Sequence, residues 1–479
     1  MAEVPDLLRL SKVPSNLEQN IETDLIETST FREATATGTG FARFDLQQKG
    51  FLHSHSKIFI SLIPEAGQGG FAHVPPNIGI GSLVQRAVLK CGNQTLNEID
   101  DWSHLHMIKS AQGDNENNVE REYYTTGRVM NFDFIYPRSE VVAGAIDPPR
   151  QKHLANIMGL QNGRDKLALG GGNYSVDSMP FARMDSLVPA QSPVYAIDLS
   201  DLFPFLKTHS LPLYMIEQQI SVELHWSPTV DKRICLSAGK NGVGAYLIDT
   251  NELKLCADYI YFMGDLMSRY AEANRNLEFS FPDYRLSKSS VDPAQLNTGI
   301  VRNLGMANRL CSRVVTVVCD DGETDQTILG PYNSCCPERV AAGTTGAVKY
   351  NVRYNDRFEF PQALENKAQI FSHFQKSEGV LFLPTEVYAD TYVGLPGATQ
   401  QYSRRQQSRT AGSPGLAGAQ WMLATRLTTG RVGVKGIELH LTQEGMNVLA
   451  GGRNYVVRSY CEYARLARLE DGFLAVYNA

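Results

Sequence analysis

No apolar run in this chain of 479 residues approaches the length of about 18 residues that a membrane-crossing helix needs. The first residues, Met1-Ala2-Glu3-Val4-Pro5-Asp6, lack the basic stretch and apolar core of a secretory signal, so export by a signal peptide is not expected. Cysteine is scarce as well. Eight in the whole chain are too few for a disulfide scaffold, and Cys91, Cys256, Cys319 and Cys461 fall inside apolar strand patterns, which predicts reduced, buried thiols. The sequons at Asn93-Gln94-Thr95 and Asn173-Tyr174-Ser175 are then expected to go unused. Net basic charge is missing too: at −6 the chain is no sleeve for nucleic acid, and direct sequence-specific binding of it is not expected.

The motifs of catalysis are equally thin. Gly38-Thr39-Gly40 and Gly79-Ile80-Gly81 have Arg43 and Val84 where a dinucleotide loop needs its third glycine. Gly239-Lys240 has neither the earlier glycine nor the following hydroxyl of a phosphate loop, and no Gly-x-Ser-x-Gly elbow occurs. Cys335-Cys336 belongs to no zinc-spaced set. His53-Ser54-His55 reads as two imidazoles on one strand face, a spacing that suits one metal ion. The cupin enzymes add a glutamate shortly after the second histidine, and this chain has Phe59 and Ile60 there. His104 and His106 point apart on an expected helix. Asp100-Asp101 and Asp320-Asp321 read as a helix start and a turn, and Arg404 to Arg409 as a solvated loop without aromatic residues for base stacking. No catalytic, cofactor-binding or metal-ligating residue is assigned, no cofactor is called for, and the protein is not expected to be an enzyme.

What the sequence does have is turns and a repeat. Forty glycines and 22 prolines, with 43% apolar and 20% charged residues, favour β-structure joined by loops. The strand Val222-Glu223-Leu224-His225-Trp226-Ser227 returns as Ile437-Glu438-Leu439-His440-Leu441-Thr442. Each alternates apolar and polar residues, which puts Glu223, His225, Glu438 and His440 on the wet face. A second pair follows in the same order, Leu255 to Tyr259 and Tyr460 to Tyr463, with spacings that differ by about ten residues, a difference a loop absorbs. Two units of about 200 residues fit the length.

The order of elements repeats with them. Strands are expected at Gly40 to Leu46, Ser56 to Ile63 and Leu83 to Cys91, then a turn at Gly92-Asn93 and a helix from Asn97 to Ile108. A polar, glycine-rich loop spans 111–192. A short helix follows from Asp198 to Leu206, capped by Asp198 or Asp201, with Pro204 in its first turn. Later strands are expected at Glu278 to Phe281 and Cys311 to Cys319, with a strand and turn over Tyr350 to Pro361, then a helix from Ala363 to Phe374 and a loop at 379–430. The predicted organisation is an N-terminal arm at 1–26, a first unit at 27–265 and a second at 266–479.

About eight strands per unit, with a long loop in each and a helix before the last strands, describe an all-β chain with a few short helices: two tandem eight-stranded antiparallel jelly rolls. In Val88 to Trp102, Asp198 to Trp226 with Leu211-Pro212-Leu213, and Asn355 to Pro361 with Asn366, the chain resembles the double jelly-roll major capsid proteins of icosahedral double-stranded DNA viruses, above all those of Polinton-like viruses and virophages. The resemblance implies a homotrimer that forms a pseudo-hexameric capsomer and tiles a virion shell. It also implies loops outside, an arm beneath, and neighbouring capsomers, penton and minor capsid proteins or an inner membrane surface as partners. A trimeric β-sandwich attachment or carbohydrate-binding protein is the alternative.

Overall fold

The computed structural model describes residues 20–34, 40–64, 72–73, 78–112, 121–122, 125–127, 194–227, 235–236, 246–262, 264–319, 348–365, 367–377, 422–427, 436–446 and 452–478. Sixteen of its strands form the frame. The first eight are β1 (Asn20–Glu27), β2 (Gly40–Asp45), β3 (Lys57–Pro64), β4 (Val84–Cys91), β5 (Gln94–Asp100), β6 (Val194–Asp198), β7 (Ile220–Trp226) and β8 (Lys254–Tyr261). The second eight are β9 (Asn276–Val291), β10 (Ile300–Asn303), β11 (Cys311–Cys319), β12 (Val348–Tyr354), β13 (Arg357–Phe358), β14 (Met422–Arg426), β15 (Ile437–Gln443) and β16 (Tyr455–Glu470).

Their pairing is the same twice over. In the first half, hydrogen-bonded neighbours run β1-β8-β3-β6 in one sheet and β2-β7-β4-β5 in the other. In the second they run β9-β16-β11-β14 and β10-β15-β12-β13, so every strand has its counterpart eight places later. Every pair is antiparallel, and this interleaved order of two four-stranded sheets is the jelly roll. Short extra strands border the first roll, among them Thr30–Arg32 on β2, and Phe473–Asn478 borders the second on β16.

Local chemistry accounts for the elements. β15 has the buried and half-buried alternation its sequence predicts. The β12 to β13 hairpin turns on Asn355 and Asp356, both at positive φ (50° and 64°), the conformation of a tight two-residue hairpin that Asn and Asp tolerate. Pro204 opens the helix Pro204–Thr208 at a position where a missing amide costs nothing, following a one-turn helix at Leu199–Leu202. The apolar residues between the sheets of each roll join in one buried core, with Trp226 among the largest fully buried side chains.

Four expectations are corrected. Residues 20–26, assigned to the arm, belong to β1, the outer strand of the first roll, paired along its full length with β8. Asn97 to Asp100, assigned to a helix, end the hairpin strand β5; the helix α1 begins at Trp102 and runs to Gln112 (Trp102–Gln112). The pairing of Leu89 with Asn97 and Ala87 with Ile99 overrides the helical spacing that Trp102, Leu105 and Ile108 suggest upstream. β14 lies inside the expected loop at 379–430. Asp198 precedes a helix but makes no cap bond; Lys57 holds it instead. The arm through residue 19, most of the 111–192 loop, residues 378–421 with Arg404 to Arg409, Cys335-Cys336, Asp320-Asp321 and Gly239-Lys240 lie outside the described residues. Among the described residues no helix is long and apolar enough to cross a membrane.

Candidate functional site

The repeated Glu and His pairs sit at matching places in the middle of matching sheets. In the first roll Glu223 bonds Lys90 at 2.6 Å, with the His225 ring 3.9 Å away and stacked obliquely on Phe41 at 5.0 Å. Burial, joined by the nearby Arg86 cation, lowers the pKa of His225 and favours its neutral ring. In the second roll Glu438 bonds Arg353 at 3.1 Å, His440 lies 3.6 Å from it, and Phe358 meets His440 edge-on at 5.0 Å. Glu223 is only 4% exposed and so is not on a wet face as its alternation predicted. The cross-strand partner Lys90, which covers it, is 133 residues away in sequence and invisible to periodicity. Each carboxylate is occupied by its cation, and the pairs serve as cross-strand ties.

His53 and His55 are brought together, but in a turn after the short strand Phe51–Leu52 rather than on a strand. Their rings are 5.3 Å apart, the His55 amide donates to His53 Nδ1 at 3.2 Å, and His55 lies 3.5 Å from Asp198. Among the described residues no three His, Cys, Asp or Glu side chains are grouped to hold a metal ion. His104 and His106 are both buried in α1, and His106 stacks flat on Trp102 at 4.5 Å. Cys91, Cys311, Cys319 and Cys461 are buried, Cys256 half-buried, and burial pushes the Cys91 thiol up to about 12.

A dense polar arrangement among the described residues lies at the seam where the rolls meet, and nothing in the sequence pattern points to it. Here β5, the free edge of its sheet, packs on β9, the edge of the second roll, with the helix Pro204–Thr208 beside it. Asp101, at φ 46° just past β5, accepts from Arg458 Nε and Lys288 Nζ, each at 3.0 Å, and its backbone carbonyl accepts from the Tyr460 hydroxyl at 2.7 Å. Arg458 is fully buried. Burial alone would raise the Asp101 carboxyl, but His104, Arg458 and Lys288 together hold it well below the ordinary carboxylate range.

A second knot lies along the same seam. Asp283 accepts from Arg465 at 2.8 Å and from Asn97 at 3.2 Å, while Asn97 Oδ1 takes the Phe205 amide at 3.0 Å. Arg465 also reaches the Leu96 carbonyl at 3.0 Å. Phe205 packs edge-on against Phe281 at 4.9 Å and Phe279 at 5.5 Å, and His209 Nε2 bonds the Ser280 carbonyl at 2.7 Å. Further on, the Leu474 amide donates to Gln218 at 3.1 Å and the Val476 amide to Gln94 at 3.2 Å. Such a seam fixes register and angle as well as adhesion, because each donor accepts only one geometry.

Solved structures share the fold. The mavirus major capsid protein matches at a TM-score of 0.53 over 98% of this chain and 91% of its own, with 12% identity. The Sputnik virophage structure matches at 0.53 over 98% and 90%, with 9% identity. The PBCV-1 VP54 structure fitted into a reconstruction of Sputnik matches at 0.50 over 98% and 99%, with 10% identity. This chain has the double jelly-roll fold of viral major capsid proteins. No family model matches it, and no curated protein matches its sequence. In this fold the seam is the contact between the two rolls of one chain.

Proposed function

We propose that the chain is the major capsid protein of an icosahedral double-stranded DNA virus, a non-catalytic subunit whose homotrimers form pseudo-hexameric capsomers. One observation carries the reading: two rolls with strand-for-strand equivalent sheets are locked side by side in one chain, so three chains supply six equivalent blocks for a six-sided tile. The likeness in fold to the mavirus and Sputnik proteins supports it. In this reading the chain is a virion component. Its rolls span roughly 20–265 and 266–479. Neighbouring capsomers, penton and minor capsid proteins and an inner membrane surface are its proposed partners.

Electron microscopy of the purified protein tests this. Hexagonal particles of about 160 kDa, three chains of 53.1 kDa each, are expected, together with sheets or shells at high concentration. A monomer that persists at every concentration would sink the capsid reading.

A further inference from the structure

The seam uses one edge from each roll and leaves one edge of each kind over. Within the chain β5 meets β9. The counterpart of β5 in the second roll is β13, and the counterpart of β9 in the first is β1; each pairs with a single strand among the described residues. Both edges expose large apolar side chains. Ile21 and Leu25 on β1 are 52% and 62% exposed, and Phe358 on β13 is 45% exposed. In the filled seam the equivalent strand β9 carries Phe279 and Phe281, each 2% exposed, with Phe205 of the first roll against them.

We propose that β13 of one copy seats on β1 of a second copy, so that Phe358 covers Ile21 and Leu25 and the intrachain contact of β5 on β9 is repeated between chains. The occupant of the exposed β1 edge is thus this same protein, in a head-to-tail contact that closes after three copies because each copy fills two of six equivalent places. This rests on the trimer proposed above and names the residues that make it. An apolar core at that contact suits an interface that must form from free subunits.

Sedimentation velocity on the full chain tests it with Leu25→Asp, Phe358→Asp and, as a control on another exposed apolar site, Tyr477→Asp. Wild type and Tyr477→Asp are expected at the mass of three chains, and the two edge variants at the mass of one with unchanged circular dichroism. A trimer that survives both edge substitutions overturns the interface and leaves the capsid reading standing; a wild type that never trimerises overturns both. Should an edge variant lose its circular dichroism, a cross-link replaces it. Leu25→Cys with Phe358→Cys is made in a Cys256→Ser background, because Cys256 sits opposite Leu25 in register. A short bis-maleimide is expected to give species of two and three chains from the double variant only. Bands from either single cysteine, or none from the double, overturn the head-to-tail contact.

Discussion

Asp101→Asn isolates what the buried charge at the seam contributes. The substitution keeps side-chain volume, and asparagine tolerates the positive φ of 46° found there. It also keeps the backbone carbonyl that Tyr460 uses. What it removes is the carboxylate charge between Arg458 and Lys288. Lys288, with 44% of its side chain exposed, returns to water at a cost of no more than about 1 kcal/mol. Arg458, with none of its side chain exposed, has no such exit, and a buried cation deprived of its carboxylate costs about 3–5 kcal/mol. Urea unfolding followed by fluorescence suits the test, since Trp102 adjoins Asp101 and is 1% exposed. The double variant Asp101→Asn with Arg458→Met should recover most of the loss, because no uncompensated charge stays inside. A single-variant loss below about 1 kcal/mol would refute the argument. The pH dependence follows from the sign of the shift. The folded-state carboxyl lies below its unfolded value, so its stabilisation is fully present above the unfolded value and fades only as pH falls through the depressed one. The Asp101 carboxyl itself therefore adds no pH dependence between about pH 5 and pH 8, and a change in the difference between wild type and Asp101→Asn across that range reports the neighbouring His104.

Two further substitutions probe the frame. Asn97→Ala strips partners from Asp283 and from the Phe205 amide, both inside the seam, and should cost about 1–3 kcal/mol in the same unfolding assay; a loss under about 0.5 kcal/mol would reject that role. Gly40→Ala would place a Cβ 2.7 Å from the Ala34 amide nitrogen and 2.7 Å from the Trp226 ring, and should lower stability by about 1–3 kcal/mol, against no change if β2 can shift.

Repetition and alternation were readable because they are local. β7 with β15, and β8 with β16, announce themselves in a handful of residues, and the order of elements around them gave the double jelly roll. β1 was lost to the arm because an edge strand exposed on most of its length looks like any polar segment; what makes it a strand is β8, more than 220 residues later. Asn97 to Asp100 read as helix because the helical spacing of α1 begins two positions after β5 ends, and only the pairing of β5 with β4 tells them apart. The seam was out of reach for a different reason. Asp101 and Arg458 are 357 residues apart, and each alone reads as an ordinary surface charge. The wet-face expectation fits half-buried Glu438 and fails for Glu223, where Lys90 closes over a carboxylate in the same Glu-Leu-His string.

Because the rolls share one chain, the contact between β5 and β9 is won by a tethered pair, at an effective concentration of millimolar order however dilute the protein is. Directional groups such as Asp101 and Arg458, which hold orientation at little net gain in adhesion, therefore suffice there. For a ring of six rolls, three of the six lateral contacts are complete before any two molecules meet. Ring formation then scales with the third power of chain concentration instead of the sixth that separate rolls would require, and closed rings persist at dilutions where single-roll subunits would scatter.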